Sequence, residues 1–252
     1  MKLTFLGTGT SVGVPTVGCD CETCLSDDPR DKRLRTSVLL EQGEHNFIID
    51  ASTDFRQQAL RTGMKKLDAI LFTHAHADHC FGLDDTRPLM FRHGAIPCFA
   101  SGITWEGLRR IYSYVFEPAP YPGLPRVVPH RIEGPFNLFG LEVEALSVTH
   151  GRLPVTAYRI GRFAYVTDCN LIPDETCDRL KGLDLLVIDA LRLKEHPTHM
   201  SLDQSLGYIR RLKPERALLT HISHDIKHAE TGACLPEGVE IAYDGLEVEV
   251  NR

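Results

Sequence analysis

With 252 residues, 42% of them hydrophobic and 25% charged, the chain has the composition of an ordinary globular protein and no low-complexity tract. Its net charge of −6 and pI near 6.0 argue against a protein whose main task is to grip long nucleic acid, because such domains carry a basic face. No run approaches the ~20 apolar residues that span a bilayer, and Leu3–Leu6 gives way to Gly7 and Thr8 too soon for a signal peptide.

The expected setting is therefore the cytoplasm, where the eight cysteines stay reduced. Strand-like apolar runs cover Leu3–Leu6, Ser37–Leu40, Phe47–Ile49 and Ala69–Thr73. Asp54–Thr62 reads as a short helix stopped by Gly63, and Thr104–Phe116 has helical spacing through Leu108, Ile111, Tyr112 and Val115. The Pro-rich stretch from Pro118 to Pro125 reads as a stiff surface loop, because residues on both sides of it are needed for one site. Further strands are expected at Leu141–Val148, Ala157–Ile160, Phe163–Val166, Leu185–Ile188 and Ala217–Leu219, with helices at Pro173–Leu180 and Ser201–Leu212. Glu240–Val250 reads as a closing hairpin around Asp244-Gly245. Two β-rich halves with helices outside imply an α/β (α+β) architecture of two sheets packed face to face, in a single domain over residues 1–252.

The decisive segment is Thr73-His74-Ala75-His76-Ala77-Asp78-His79, which places three imidazoles and a carboxylate within six residues of a strand end. Imidazole nitrogen and carboxylate oxygen suit zinc, manganese or iron. Two residues apart, His74 and His76 share one side of an extended chain. Asp78 and His79 then project from the first turn of a following helix, so one short segment feeds two adjacent metals. A solvated His-rich loop would not need four constrained positions at that place.

This H-x-H-x-D-H segment is similar to the signature of the metallo-β-lactamase superfamily, which implies an αββα sandwich of two mixed sheets with helices outside. The resemblance also implies the remaining ligands, each after an apolar strand: His150 after Leu146–Thr149, Asp168 after Ala164–Thr167, and His221 after Ala217–Thr220. Carried over, His74, His76 and His150 hold one divalent metal, Asp78, His79 and His221 hold the other, and Asp168 bridges them. Asp50, which closes Phe47–Ile49, resembles the family's aspartate that orients a ligand histidine. Its competing role is to cap the helix from Asp54.

Cys19-Asp20-Cys21-Glu22-Thr23-Cys24 offers three thiols in six residues. A redox pair within Cys21–Cys24 is one reading and a tetrahedral zinc short of its fourth ligand is the other. Three thiols crowd any single disulfide, which favours zinc. Joined to the opening Leu6-Gly7-Thr8-Gly9-Thr10-Ser11, the C-x-C-x-x-C cluster resembles the PhnP group, phosphodiesterases of the carbon–phosphorus lyase pathway. That resemblance implies His224, three residues beyond His221, as the fourth ligand of a structural zinc pinning a loop at 18–25. Gly7-Thr8-Gly9 alone lacks a third spaced glycine and reads as a tight strand exit, not a nucleotide loop.

In that group and in ribonuclease Z, a histidine between the bridging aspartate and the last ligand supports catalysis. His199 is the better match and His196 its rival, while Asp189, ending a buried strand, is a minor candidate. His45, His93, His130 and His228 read as surface residues, and Cys80, Cys98, Cys169, Cys177 and Cys234 as small packing groups. The implied reaction is hydrolysis of a small phosphodiester, cyclic ribose or nucleotide phosphates included, by a hydroxide bridging two zinc or manganese ions. Asp78 and His199 are the expected catalytic residues, and the family implies a homodimer. Ribonuclease Z is disfavoured, because its tRNA arm lies between the third metal histidine and the bridging aspartate, where only 17 residues separate His150 from Asp168. The other rivals are acyl hydrolases of thioesters, lactones or β-lactams, and a PqqB-like cofactor-biosynthesis protein with a departed metal site.

Overall fold

Most strand positions are apolar in both registers of the alternation, so both faces of each sheet must be covered. The computed structural model describes residues 1–117 and 123–250. In it β1 (Lys2–Gly7), β2 (Ser37–Gln42), β3 (His45–Ile49), β4 (Ala69–Leu71), β5 (Ile96–Ala100) and β6 (Val127–Arg131) lie side by side in chain order. A second sheet follows the same rule with β7 (Phe136–Leu138), β8 (Leu141–His150), β9 (Leu153–Ile160), β10 (Phe163–Val166), β11 (Leu185–Asp189), β12 (Arg216–Thr220) and β13 (Val239–Ile241). The last strand, β14 (Glu247–Glu249), returns to the first sheet antiparallel to β1. The helices are α1 (Glu22–Leu25), α2 (Phe55–Thr62), α3 (Ala77–Cys80), α4 (Arg87–His93), α5 (Gly102–Ile111), α6 (Ser113–Phe116), α7 (Asp174–Arg179), α8 (Leu202–Leu212) and α9 (His228–Gly232).

One register points between the sheets: Phe47 and Ile49, Ala69 and Leu71, Phe163 and Tyr165, and Leu185 and Val187 share a core with Leu3, Phe5 and Leu218. The other register meets the helices. Ile48 and Ile70 pack with Phe55, Met90, Trp105 and Leu108 of α2, α4 and α5. Ala164, Val166, Leu186 and Ile188 pack with Cys177, Ile209 and Leu212 of α7 and α8. This is the expected αββα layering. Each buried side chain contributes about 1.5–3 kcal/mol, and Phe163→Ala in the central layer is expected to cost about 3–5 kcal/mol in chemical denaturation.

Several elements differ from the sequence reading. The helix expected over Thr104–Phe116 starts at Gly102, because Ser101 caps it by accepting from Thr104 N, and it breaks at Tyr112. There the Tyr112 hydroxyl donates to the Cys80 carbonyl at 2.8 Å and draws the ring inward. The closing hairpin does not form. β13 runs parallel to β12 while β14 joins β1, so the Asp244-Gly245 turn crosses from one sheet to the other. Asp244 fixes that crossing by accepting from Thr8 N, Thr8 Oγ1 and Leu34 N at 2.8–2.9 Å. β5, β6, β7, α1, α4 and α9 are additional. His228 is 9% exposed, not a surface residue, and Cys234 is exposed while Cys80, Cys98, Cys169 and Cys177 are buried. The Pro-rich expectation falls largely on residues 118–122, which lie outside the described residues.

Candidate metal centre

The strand ends that face one another across the two sheets carry the candidate ligands. Asp50 follows β3, His74 comes three residues after β4, His150 ends β8, Asp168 lies two residues after β10, and His221 follows β12. Three of these residues turn the chain through the left-handed region: Asp50 at φ 65°, Asp168 at 51° and His221 at 59°. Non-glycine residues pay roughly 1–3 kcal/mol for that conformation, and such outliers gather where a side chain must be aimed. No sequence pattern announced them.

The seven candidates converge. Asp168 lies within 3.2 Å of His79 Nε2, 3.4 Å of His221 Nε2 and 3.9 Å of His74 Nε2. Asp78 Oδ2 is 3.2 Å from His79 Nε2 and 3.6 Å from His221 Nε2. The rings of His74, His76 and His150 surround a second point, with centroids 4.5–5.9 Å apart. Asp168 stands between the two triplets, and His76 and His150 leave the open side of the site. Asp78 and His79 project from α3, as their spacing predicts.

A shell of hydrogen bonds orients the imidazoles. Asp50 accepts from Thr73 N and Thr73 Oγ1 at 2.8 Å and lies 2.7 Å from His79 Nδ1. With its proton given to Asp50, the Thr73 hydroxyl accepts from His74 Nδ1, 3.0 Å away. The Thr198 carbonyl accepts from His150 Nδ1 at 2.7 Å. Asp50 thus orients His79 directly and His74 through Thr73; it does not cap α2, whose N-cap is Asp54. In the His74, His79 and His150 rings Nδ1 is engaged, leaving Nε2 free to face the cluster.

Burial and charge then oppose each other. Burial raises the Asp168 carboxyl, but His221, His79 and His74 hold it well below the usual carboxylate range. Burial lowers the His221 imidazole, but Asp168, Asp189 and Asp78 raise it to about 10. The carboxylates demand positive charge at the centre, as protons or as cations. The Nε2 atoms of His74, His79 and His221 are buried without a hydrogen bond. Unpaired buried nitrogens beside carboxylate oxygens suit divalent cations, so this donor set fits them.

A second cluster lies beside the first. His224 Nδ1 is 3.1, 3.5 and 3.6 Å from the sulfurs of Cys19, Cys21 and Cys24. A tetrahedral zinc with Zn–S about 2.3 Å and Zn–N about 2.0 Å needs donor separations of roughly 3.5–3.8 Å. The cysteines sit in a loop and α1, with Thr16 N donating to Cys24 Sγ at 3.3 Å. The Cys24 backbone N–H stabilises the Cys21 thiolate and brings that thiol down to about 7. The Gly7-Thr8-Gly9 run shows its purpose here. A Cβ on Gly9 would stand 2.8 Å from the Arg33 carbonyl, and the run bonds to residue 222 through Ile222 N to Thr8 O and Thr10 N to Ile222 O. Arg33, fully buried against Asp31 at 2.9 Å, donates to the Ser223 carbonyl between His221 and His224. The two clusters are therefore tied by one short segment.

His199 joins the first cluster and His196 does not. The His199 ring is 4.5 Å from that of His150 and stacks on His221 at 4.8 Å, whereas His196 lies outside every group of converging donors. Asp189, a minor candidate from sequence, proves central. Its carboxylate is 3.2 Å from His199 Nδ1 and accepts from Cys169 N at 3.1 Å. Thr73 and the Thr198 carbonyl were missed. A threonine directly before the first ligand histidine was the available signal for one; the carbonyl left none.

A β-lactamase superfamily domain matches residues 45–222. The crystal structure of a new diphosphatase from the PhnP family superposes with a TM-score of 0.93 at 45% identity, covering 98% of this chain and 96% of that one. An octanoyltransferase of Porphyromonas gingivalis is 41% identical over 257 residues, covering 100% of this chain and 52% of that protein, so the chain spans about half the length of that relative. A coenzyme PQQ synthesis protein B of Methylobacterium sp. is 29% identical over 221 residues, 75% of this chain and 72% of that one. The chain belongs to the metallo-β-lactamase superfamily and, within it, to the PhnP family.

Proposed function

We propose that the protein is a metal-dependent phosphodiesterase acting on small phosphodiesters, with two divalent metals at the His/Asp cluster and one structural zinc at the cysteine cluster. The observation that carries the reading is Asp168, placed between two triplets of donors among which the Nε2 atoms of His74, His79 and His221 are buried and unpartnered. His74, His76 and His150 would hold one cation, Asp78, His79 and His221 the other, with Asp168 shared. Zinc and manganese both suit these nitrogen and oxygen donors, while three thiolates and an imidazole select zinc. A cation pair supplies Lewis acidity at the phosphoryl oxygens and lowers the pKa of water at the site.

The chain's own groups do the rest. Asp78 and Asp168 concentrate negative charge where cations bind, and Asp50, Thr73 and the Thr198 carbonyl hold the ligand rings in one orientation. His199, oriented by Asp189, carries a proton to the departing alkoxide at the open side of the site. Residues 151–167 fold into β9 and β10, which leaves no room there for a tRNA-binding arm.

The diphosphatase relative supports phosphoryl chemistry at 45% identity. The relative named octanoyltransferase raises acyl chemistry, although this chain covers 52% of that protein. Metal-quantified protein should be assayed with bis(p-nitrophenyl) phosphate, p-nitrophenyl acetate and a β-lactam. Turnover confined to the diester supports the reading; turnover of the ester or lactam alone moves the function to acyl hydrolysis.

A further inference from the structure

Among the described residues Arg33 is the largest side chain wholly out of water, and Asp31, its ion-pair partner at 2.9 Å, is buried with it. Taking both charges out of water is costly, and such a pair commonly stabilises a fold no better than apolar side chains of the same volume. Stability therefore does not explain the pair; its place does. Arg33 Nη1 donates to the Ser223 carbonyl at 3.1 Å, and Asp31 Oδ1, which takes Arg33 Nη2, also accepts from His228 N at 2.8 Å. The pair thus grips the chain beyond His221 at two points. Nearby backbone groups meet backbone instead: Ile222 N donates to Thr8 O, Thr10 N to Ile222 O and Ser223 N to Leu191 O. The Ser223 carbonyl has Arg33 and, at 3.4 Å, Ile226 N. Arg33's own backbone pairs with Val14 in both directions, at 2.7 and 2.9 Å, where the chain enters the loop of the three cysteines. His221 sits at φ 59°, a conformation that a non-glycine residue keeps only where its surroundings over-determine it.

We propose that Arg33 is a positioning residue that couples the two metal clusters: it stiffens the segment from His221 to His224, so that a zinc held by His224 and the cysteines sets His221 for the catalytic metals. The inference rests on the metal-dependent reading above and deepens it, giving the cysteine cluster a part in the metal affinity of the catalytic centre. So short a segment transmits position only when its backbone is fixed, and the Ser223 carbonyl is the point that a side chain fixes. The guanidinium fork reaches Asp31 and Ser223 at once, which the point charge of a lysine does not match. Such coupling is reciprocal, so each site binds more tightly when the other is filled.

The test is cobalt(II) titration of the metal-free protein, read by absorption, for wild type, C21S, R33K and R33M/D31N, with turnover of bis(p-nitrophenyl) phosphate measured alongside. Thiolate-to-cobalt charge transfer reports the cysteine cluster, and the weaker ligand-field bands report the His/Asp cluster. R33M alone would strand a buried carboxylate and endanger the fold; D31N removes that charge and keeps an acceptor for His228 N. Wild type should bind cobalt at the His/Asp cluster about ten-fold more tightly than C21S, a usual size for coupled sites. In R33M/D31N, folded like wild type by circular dichroism and still filling its cysteine cluster, that affinity should fall about ten-fold. Adding C21S to R33M/D31N should then cost less than about two-fold more, the two changes breaking one coupling. R33K should lie between, having the charge without the fork. Wild-type cobalt affinity at the His/Asp cluster of R33M/D31N overturns the inference, and so does a C21S effect undiminished in that background. Arg33-dependent loading of both clusters without turnover of the diester upholds the coupling and sinks the phosphodiesterase reading. Wild type that takes no cobalt at the His/Asp cluster overturns both.

Discussion

Asp189 Oδ2 lies 3.2 Å from His199 Nδ1, and the other oxygen of the same carboxylate lies 3.6 Å from His221 Nδ1. Burial raises the Asp189 carboxyl, but these two imidazoles hold it below the ordinary range, so it acts as an anion that positions both rings. Asp189→Asn keeps the shape and removes the charge. It is expected to lower kcat or metal affinity about 10–100-fold, the usual cost of losing such an orienting partner. Steady-state kinetics with metal titration would show this; unchanged values for both would contradict the role.

His199 is expected to matter in proportion to the basicity of the leaving group. His199→Ala should lose about 10²–10⁴-fold in kcat on a diester with an alkoxide leaving group, and far less with p-nitrophenolate, which departs without a proton. His196→Ala should stay within about two-fold on either substrate. Equal losses by His199→Ala with both leaving groups would contradict proton donation to the leaving oxygen.

Cys21→Ser should reduce the metal content by one per chain and lower the melting temperature. A structural zinc contributes folding free energy directly. Elemental analysis and thermal unfolding check both together. Full metal content with wild-type melting would refute the Cys19, Cys21, Cys24 and His224 site.

His228 gives the fold a dependence on pH. Burial, together with Arg30 and Arg33, holds its imidazole below the ordinary range, and its Nδ1 has no partner. The unfolded chain takes up a proton near pH 6.5 that the folded chain refuses. The stability associated with neutral His228 is therefore complete above about pH 6.5 and is lost as pH falls below it. In His228→Gln that loss is absent, so the stability difference between wild type and variant should shrink or reverse from pH 8 to pH 5. A difference constant across that range would contradict the argument.

Much of this site was legible in the sequence, for a physical reason. The His74–His79 segment stood out by its own residue chemistry at the end of an apolar run, while His150, Asp168 and His221 were implied by the family resemblance, each placed where an apolar strand stops. The layering was legible for the same reason, since strands such as Phe163–Val166 are apolar on both faces. What stayed hidden depends on contacts between distant segments. β6 carries Pro129 and is mostly exposed, as an edge strand can be, so its pattern is weak. The Asp244-Gly245 turn looks local but is fixed by Thr8 and Leu34, more than 200 residues away. The docking of Gly107 on Ala75 leaves no trace in either segment alone.

The central claim is that Asp168 is shared by two catalytic metals. Its most direct test is metal content measured together with bis(p-nitrophenyl) phosphate turnover, for wild type and Asp168→Ala folded equally well by circular dichroism. The account predicts three metals per chain in the wild type. In the variant it predicts loss of at least one metal and of essentially all turnover, with the structural zinc retained. Near-normal turnover by a metal-replete Asp168→Ala protein would contradict it.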